Sequence, residues 1–492
     1  GAVYTFASET PGNTYLKTSH FIIRHNENIT PYAAVVAEHA EAHYEKIESF
    51  LKYSLNETIK ISVTDKGGIS LIPEYGSIHF SPSSNFHESA DVLYRQIFLR
   101  FIDSICRQTA GNFRLQTFSD LFIDMLCSYS FTGFDLHKEL ILRDQLKISK
   151  LNQLHIMEID SLNGDAMKAA YAGFFYFIES SYGRKIMLRA LKDSVYYGSF
   201  LNSLKSVTGK TIDEIDSEFN EFLSSKIYTA IPAGDYGILK VDFNYDHIKD
   251  FYIYNGRITI LAAQNNSTEI FMIDKNSGIP SIIKLPGNLT LKSICHFENN
   301  YIAIAGDYGH VSSIIIYDID QLRITRVIKL PGIHINTINN SVQDGVFMLN
   351  SVNGISGSII ETDYSSVIIN RKNAADITGS SGIITRGESV YYIAKKDLYE
   401  LIELNLLTGD EQPLLKSKDE IMSLTVSGDN IIIAANNSSG GYVSSINPVN
   451  GINKILVSGC PALYKAFVEE QTIYMLAYNN GRRKILVKEL PR

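Results

Sequence analysis

The feature that most constrains this chain is a polar residue that returns at an almost fixed interval through its second half. Asp274, Asp318, Asp363, Asn405, Asn447 and Glu489 each end an alternating apolar stretch and precede a turn, at intervals of 44, 45, 42, 42 and 42 residues. Each interval holds about four short β patterns, separated by turns such as KNSG, LLTGD and PVNG. Four strands in a repeat of roughly 40–45 residues is the pattern of a β-propeller blade. Six marks imply six blades. The last mark lies close to the C-terminus, so the sixth blade lacks an outermost strand, and YGILKVDFN (236–244) has the alternation to supply it. Joining the two ends of the array in this way leaves no open sheet edge. The absence of Trp separates the repeat from Trp-Asp propellers of similar period. A β-sandwich or β-helix with accidental spacing is the competing reading.

Before the repeat the texture differs. HFIIRHN (20–26), TIKISVTD (58–65) and GSIHFSPS (76–83) read as strands. Between the first two, Val36, Ala40, Tyr44, Ile47 and Leu51 stand at helical spacing over 31–52. Helices are predicted at about 86–106, 118–130, 165–182, 184–192 and 211–225. The last opens on a capping box, Thr211 to Glu214, and carries Ile212, Ile215, Phe219 and Phe222 on its apolar face. At 492 residues the chain is too long for one core. The reading is multidomain: an α+β domain over 1–228, mostly helical with a small sheet, a linker over 229–235, and an all-β six-bladed propeller over 236–492, closed by strand 236–244.

Composition excludes some partners. A net charge of -8 gives no reason to expect nucleic acid or an anionic membrane surface. No apolar run reaches the roughly 18 residues of a membrane span. Cys106, Cys127, Cys295 and Cys460 show no metal-type spacing; Cys106 and Cys127 fall on neighbouring predicted helices and could pair, but buried free thiols are expected. The chain opens on Gly1, consistent with removal of a targeting segment. No nucleophile elbow, P-loop or dinucleotide fingerprint occurs.

One motif bears on chemistry: NFHESADVLYRQ carries H-E-x-x-D at His87, Glu88 and Asp91. Its surroundings resemble the gluzincin (thermolysin-like) metallopeptidases, in particular their peptidase-MA-like branch. TSHFIIRHN, the long helix YAAVVAEHAEAHYEKIESFLKY and IKISVTD are similar to that family's opening, and AYAGFFYFIESSYGRKIMLRALKDS through IDEIDSEFNEFL to its closing helices. The resemblance covers nearly all of the first domain, in order. It implies that GSIHF is an edge strand along which an extended peptide lies, at Ile78, His79 and Phe80. It also implies that His87 is a metal ligand, Glu88 the general base, and LFIDMLCSYS the helix of the third ligand. The sequence departs from the family at two ligands: Asp91 stands where the second histidine belongs, and Asp124 where a glutamate belongs.

Spacing i, i+4 puts His87 and Asp91 on one helix face: at 100° per residue Asp91, Tyr94, Phe98 and Ile105 all lie within about 40° of His87. Ser89, Gln96, Arg100 and Asp103 lie opposite. A carboxylate on the apolar face needs a cation, a donor or a wet cleft. One reading is a zinc site of His87, Asp91 and Asp124 in which Glu88 activates water for peptide hydrolysis. The other is a relict cleft without a cofactor, in an exported, non-catalytic pseudopeptidase-propeller protein that binds a protein or peptide partner, with an edge strand still able to accept a peptide. Asp124 also shares a polar stripe with Thr117, Asp120 and Ser128, as an ordinary solvated face would. A second histidine pair, His39 and His43 in HAEAH, is expected to face solvent beside Glu38, Glu41 and Glu45. An extracytoplasmic location, periplasmic or at the cell surface, is implied by the resemblance.

Overall fold

The structure is a computed structural model that describes the chain except residues 1–4, 11–12, 28–29, 64–76, 81–85, 111–117, 150–152, 163, 228–235, 240–244, 246, 265–266, 275–279, 284, 286–288, 298–299, 309–310, 331–334, 341–345, 354–355, 364–367, 375–381 and 492. Within some elements, residues 86–92 among them, only the backbone is described. The chain divides into two compact units, Gly1–Thr229 and Ala230–Arg492.

The first unit holds a five-stranded sheet in chain order: β1 (Thr5–Thr10), β2 (Asn13–Lys17), β3 (Phe21–Asn26), β4 (Ile59–Val63) and β5 (Ser77–Phe80). β1 to β3 form an antiparallel meander, whereas β3–β4 and β4–β5 pair in parallel. Parallel pairing demands a crossover, and α1 (Thr30–Leu51) makes the first one. The register lines up Leu16, Ile23, Ile61 and Ile78 across four strands, and all four are buried. The buried residues Ala33, Val36, Ala40, Tyr44 and Ile47 of α1 recur every three or four positions, the stripe a helix on a sheet requires. β1 and β2 escaped the sequence reading because TFASET and NTYLK carry too few apolar residues to show a period.

α2 (Phe86–Ala110) packs beside α1 and buries Leu93, Tyr94, Ile97, Phe98, Phe101, Ile102, Ile105 and Cys106. The face holding Tyr94, Phe98 and Ile105 is therefore the buried one, as the spacing predicts. α3 (Asp120–Thr132) starts on Ser119, whose hydroxyl accepts from Phe122 N at 3.1 Å, and ends at Gly133 with φ +68°. α4 (Leu136–Ile148), a short 3-10 turn (Ile156–Ser161), α5 (Gly164–Ser181), α6 (Arg184–Tyr197), α7 (Phe200–Thr208) and α8 (Ile212–Phe222) complete the unit. The α8 capping box forms in both directions between Thr211 and Glu214. Of its apolar face Ile215 and Phe219 are buried, while Ile212 and Phe222 are partly covered.

The second unit consists, among the described residues, of six four-stranded antiparallel sheets. Five run in chain order over 247–283, 289–329, 337–374, 384–417 and 420–460. The sixth takes three strands from 463–489 and its fourth from Gly237–Ile238, which pairs with Val487 and Leu486. Leu239 N extends that pairing to Ile485 O at 2.9 Å. Six apolar clusters bind consecutive sheets face to face. Leu261 and Ile294 join the first and second sheets, Ile314 and Phe347 the second and third, and Met348 and Tyr392 the third and fourth. Ile393 and Ile433 join the fourth and fifth, Ile432 and Met475 the fifth and sixth, and Phe251 and Phe467 the sixth and first. This is a β-propeller-like arrangement.

The recurring polar residue has a local cause. In the described turns it ends or follows the third strand of its sheet and folds the link to the fourth. Asp318 Oδ1 accepts from Asp320 N and Gln321 N, both at 2.9 Å. Asn405 Oδ1 does the same for Leu407 N and Thr408 N, and Asn447 Oδ1 for Val449 N and Asn450 N. A short side-chain acceptor stands in for a missing backbone partner at each turn.

Candidate functional site

His87, Glu88 and Asp91 lie in the first turns of α2, but their side chains fall outside the described ones, as do those of His79 and Phe80 on β5. Ile78, the remaining residue of the expected peptide strand, is 5% exposed and packs in the aliphatic row of the sheet. Among the described residues β5 pairs with β4 and forms one edge of the sheet.

Asp124 of α3 is described and engaged. Its Oδ1 accepts a hydrogen bond from Arg95 Nε in an ion pair, and Asp120 approaches the same guanidinium at 4.0 Å. Arg95 stands one helical turn beyond Asp91 on α2. Sequence reasoning missed this arginine because nothing in a single helix pattern says which neighbouring carboxylate a long side chain will reach. Next to it, Tyr94 Oη bonds Ser130 Oγ at 2.8 Å, and Ser130 Oγ donates to Cys127 O at 2.7 Å. Burial raises the Tyr94 phenol well above its ordinary range, so it stays a neutral donor.

The expectation that His39 and His43 face solvent is corrected: each is only 3% exposed. The acidic neighbours misled because Glu38 and Glu45 occupy the outer face of α1, whereas the histidines share a second inward stripe. Glu41 is not free either; it accepts from His20 N at 2.8 Å and pairs with His20 Nδ1 at 2.6 Å. The His43 ring meets Tyr94 edge-on at 5.2 Å and Phe131 at 6.2 Å, and the His39 and His43 ring centres are 6.2 Å apart. Burial pushes the His39 pKa down to about 4, which keeps its imidazole neutral. All four cysteines are buried and none is in a disulfide, so Cys106 and Cys127 are not bridged. Among the described residues, no group of three or more His, Cys, Asp and Glu side chains could hold a metal ion.

The second unit contains a cavity of about 750 Å³ lined by the first strands of its sheets. Lys249, Lys292 and Asn336 line it along with Asp250, Ser293 and Lys465. Asp250, 7% exposed, ties three sheets together. Its Oδ1 accepts from Lys465 Nζ and its own neighbour Phe251 N, at 2.7 and 2.8 Å. Its Oδ2 accepts from Ser293 Oγ and Ile294 N, at 3.1 and 3.2 Å.

No protein-family model matches the chain, and no match to a curated protein is found. Solved structures similar to it include a luciferin-regenerating enzyme (8% identity over 53% of this chain and 96% of that one, TM-score 0.41). TolB from Acinetobacter baumannii matches at 16% identity over 49% and 65%, with a TM-score of 0.35. The β-propeller domain of the trilobed protease from Pyrococcus furiosus matches at 11% identity over 51% and 99%, with a TM-score of 0.36. None of these likenesses carries over a function. Among the described residues no helix is long and apolar enough to cross a membrane.

Proposed function

We propose that this chain is a non-catalytic binding protein: a degenerate gluzincin-like domain (1–228), a linker (229–235) and a six-bladed propeller (236–492) closed by the strand that precedes the first blade. The single observation that supports this reading most is the Arg95–Asp124 ion pair. At the place where the resemblance puts a third zinc ligand, the carboxylate is already paired with a guanidinium. A fixed positive charge there opposes a dication and uses the lone pair that would coordinate it. With Asp91 also in place of a histidine, the His87, Asp91 and Asp124 set is a poor zinc site, and Glu88 has no activated water to serve.

What such a domain retains is a surface. β5 has one unpaired edge among the described residues and can accept an extended peptide by strand addition around Ile78, His79 and Phe80. The propeller adds a rigid scaffold with a cavity lined by both charged and apolar side chains. The partner class is a protein or peptide, and the setting is extracytoplasmic, periplasmic or cell-surface. The alternative is a divergent zinc metallopeptidase working through Glu88.

The test is a peptide-library digest with the full chain and its Glu88→Gln variant, beside a binding screen with the same peptides. Binding without cleavage, unchanged in the variant, is expected. Cleavage that disappears in Glu88→Gln overturns the proposal in favour of the peptidase.

A further inference from the structure

We propose that the cavity of the second unit binds one small amphipathic organic anion, with its charged group held at Lys249, Lys292 and Arg483. The inference concerns that unit alone and does not rest on the peptide-binding role proposed above. At about 750 Å³ the cavity falls within the range of small-molecule sites, roughly 300–1,000 Å³.

The first strands of the sheets are built for it. Those over 247–254, 289–297, 420–427 and 463–469 each shift register against their second strand at an equivalent place. The shifts fall between Ile248 and Asp250, Leu291 and Ser293, Ile421 and Ser423, and Leu463 and Lys465. An inserted residue bends its strand and re-aims its side chain. Here the inserted residues are Lys249, Lys292, Met422 and Tyr464, and all four line the cavity.

Charge is unevenly spread along that cavity. At the end where the insertions lie, Lys465 pairs with Asp250, and Ser293 Oγ donates to the same carboxylate at 3.1 Å. Lys249 and Lys292 directly precede Asp250 and Ser293 in the chain. Lys249 Nζ donates to Thr268 Oγ1 at 2.8 Å, and the Arg483 guanidinium stands over the Tyr464 ring at 4.1 Å. Such contacts orient a cation without cancelling its charge. The described lining side chains at this end therefore carry four positive charges and one negative. The other two lining carboxylates, Glu469 and Glu470, mark the opposite end. Glu469 closes the strand that holds Lys465, about 13 Å further along it.

Between the two ends the wall is apolar. Tyr252 and Phe467 meet edge-on at 4.9 Å, and Val426, 42% exposed, also lines the cavity. A cleft of this polarity draws an anion toward its lysines and repels it from its glutamates. The charged group then rests on the ammonium and guanidinium groups, and the hydrophobic body lies along Tyr252, Phe467 and Val426. Lysine and arginine hold a carboxylate or a phosphate ester equally well by charge-assisted hydrogen bonds, so the anionic group is the recognised feature.

The experiment titrates the full chain into naphthylacetate, naphthyl phosphate and uncharged naphthylethanol, read by naphthyl fluorescence anisotropy. The chain has no Trp, so the probe emission is unobstructed. Both anions should bind one per chain, more weakly as salt is raised, and the tighter of the two identifies the preferred anionic group. Naphthylethanol should bind about 10-fold or more weakly. The Lys249→Gln/Lys292→Gln double variant should lose about 10-fold or more in affinity for both anions, while Glu470→Gln binds them at least as tightly as the parent. Circular dichroism checks the double variant. Should it fail to fold, hydrogen exchange of the unaltered chain decides, with the bound anion slowing exchange in 247–254, 289–297 and 463–469. Failure of both anions to saturate the chain, equal affinity for naphthylethanol, parental affinity in a folded double variant, or protection confined to other segments would each overturn the proposal.

Discussion

Replacing Asp250 by alanine should weaken the second unit more than any other single polar change in it. The carboxylate is 7% exposed and accepts four hydrogen bonds, one of them from an ammonium whose side chain is 19% exposed. Removing one partner of a buried ion pair costs about 3–5 kcal/mol, largely because the other charge is left uncompensated. Orphaning buried backbone donors adds about 1–3 kcal/mol each. Phe251 N and Ile294 N are such donors here. Water entering from the cavity that Asp250 lines will offset part of this, so the expected loss is about 3–4 kcal/mol. Lys465→Met should cost less, about 1–2 kcal/mol, because Asp250 keeps its donors from Phe251, Ser293 and Ile294. Denaturant titration of the full chain measures the loss. Hydrogen exchange localises it, with faster exchange expected in 247–254 and 463–469. A loss below about 1 kcal/mol for Asp250→Ala, or a larger one for Lys465→Met, would refute the view that this carboxylate holds three sheets together.

Asn405→Ala removes the acceptor for two turn amides and should cost about 0.5–1.5 kcal/mol in denaturant titration, while Asn405→Asp is tolerated. Gly441→Ala should cost at least about 1–3 kcal/mol, because a Cβ there would lie 2.4 Å from Pro461 O, a backbone atom that cannot swing aside. The second unit should also lose stability in mild acid. His296 is 2% exposed and bonds Thr259 Oγ1 at 2.8 Å; burial, then the Arg257 charge, holds its pKa at about 4. The folded value lies below the ordinary 6.5, so the unfolded chain takes up the proton first. The contribution is intact above about pH 6.5 and is lost as pH falls toward 4, at up to about 1.4 kcal/mol per pH unit. Urea midpoints across that range should fall less steeply for His296→Gln than for the parent.

How much of this could be seen in the sequence depended on whether the governing interaction is local. The polar mark at Asp318, Asn405 and Asn447 was legible because each side chain serves amides two and three residues ahead. The stripe of α1 and the capping box of α8 were legible for the same reason. Arg95 meeting Asp124 joins residues 29 positions apart, and Lys465 meeting Asp250 joins residues 215 apart; no periodicity encodes either. The histidines of α1 show a subtler failure. Glutamates at 38 and 45 announced a wet face correctly, but a long helix packed between a sheet and other helices has more than one dry face.

The joins between sheets explain why a charged pair is found where it is. Three of the joins use neutral groups: Ile338 N to Ser293 Oγ at 3.5 Å, Asn339 Nδ2 to Ile383 O at 2.7 Å, and Thr425 Oγ1 to Ala466 O at 2.6 Å. Such bonds are interchangeable among sheets built to one pattern, so they do little to say which sheet should follow which. An array of near-identical units can therefore pair its neighbours wrongly at modest cost. The first and sixth sheets lie at opposite ends of the array, and among the described residues the strand that precedes the first sheet reaches the sixth through Gly237, Ile238 and the bond from Leu239. A buried lysine–aspartate pair penalises any other pairing of these sheets, because a wrong partner leaves a charge stranded between them. On this argument Asp250 and Lys465 contribute more to choosing the correct neighbouring sheet than to net stability. The ordering of their two substitutions is the signature of that role.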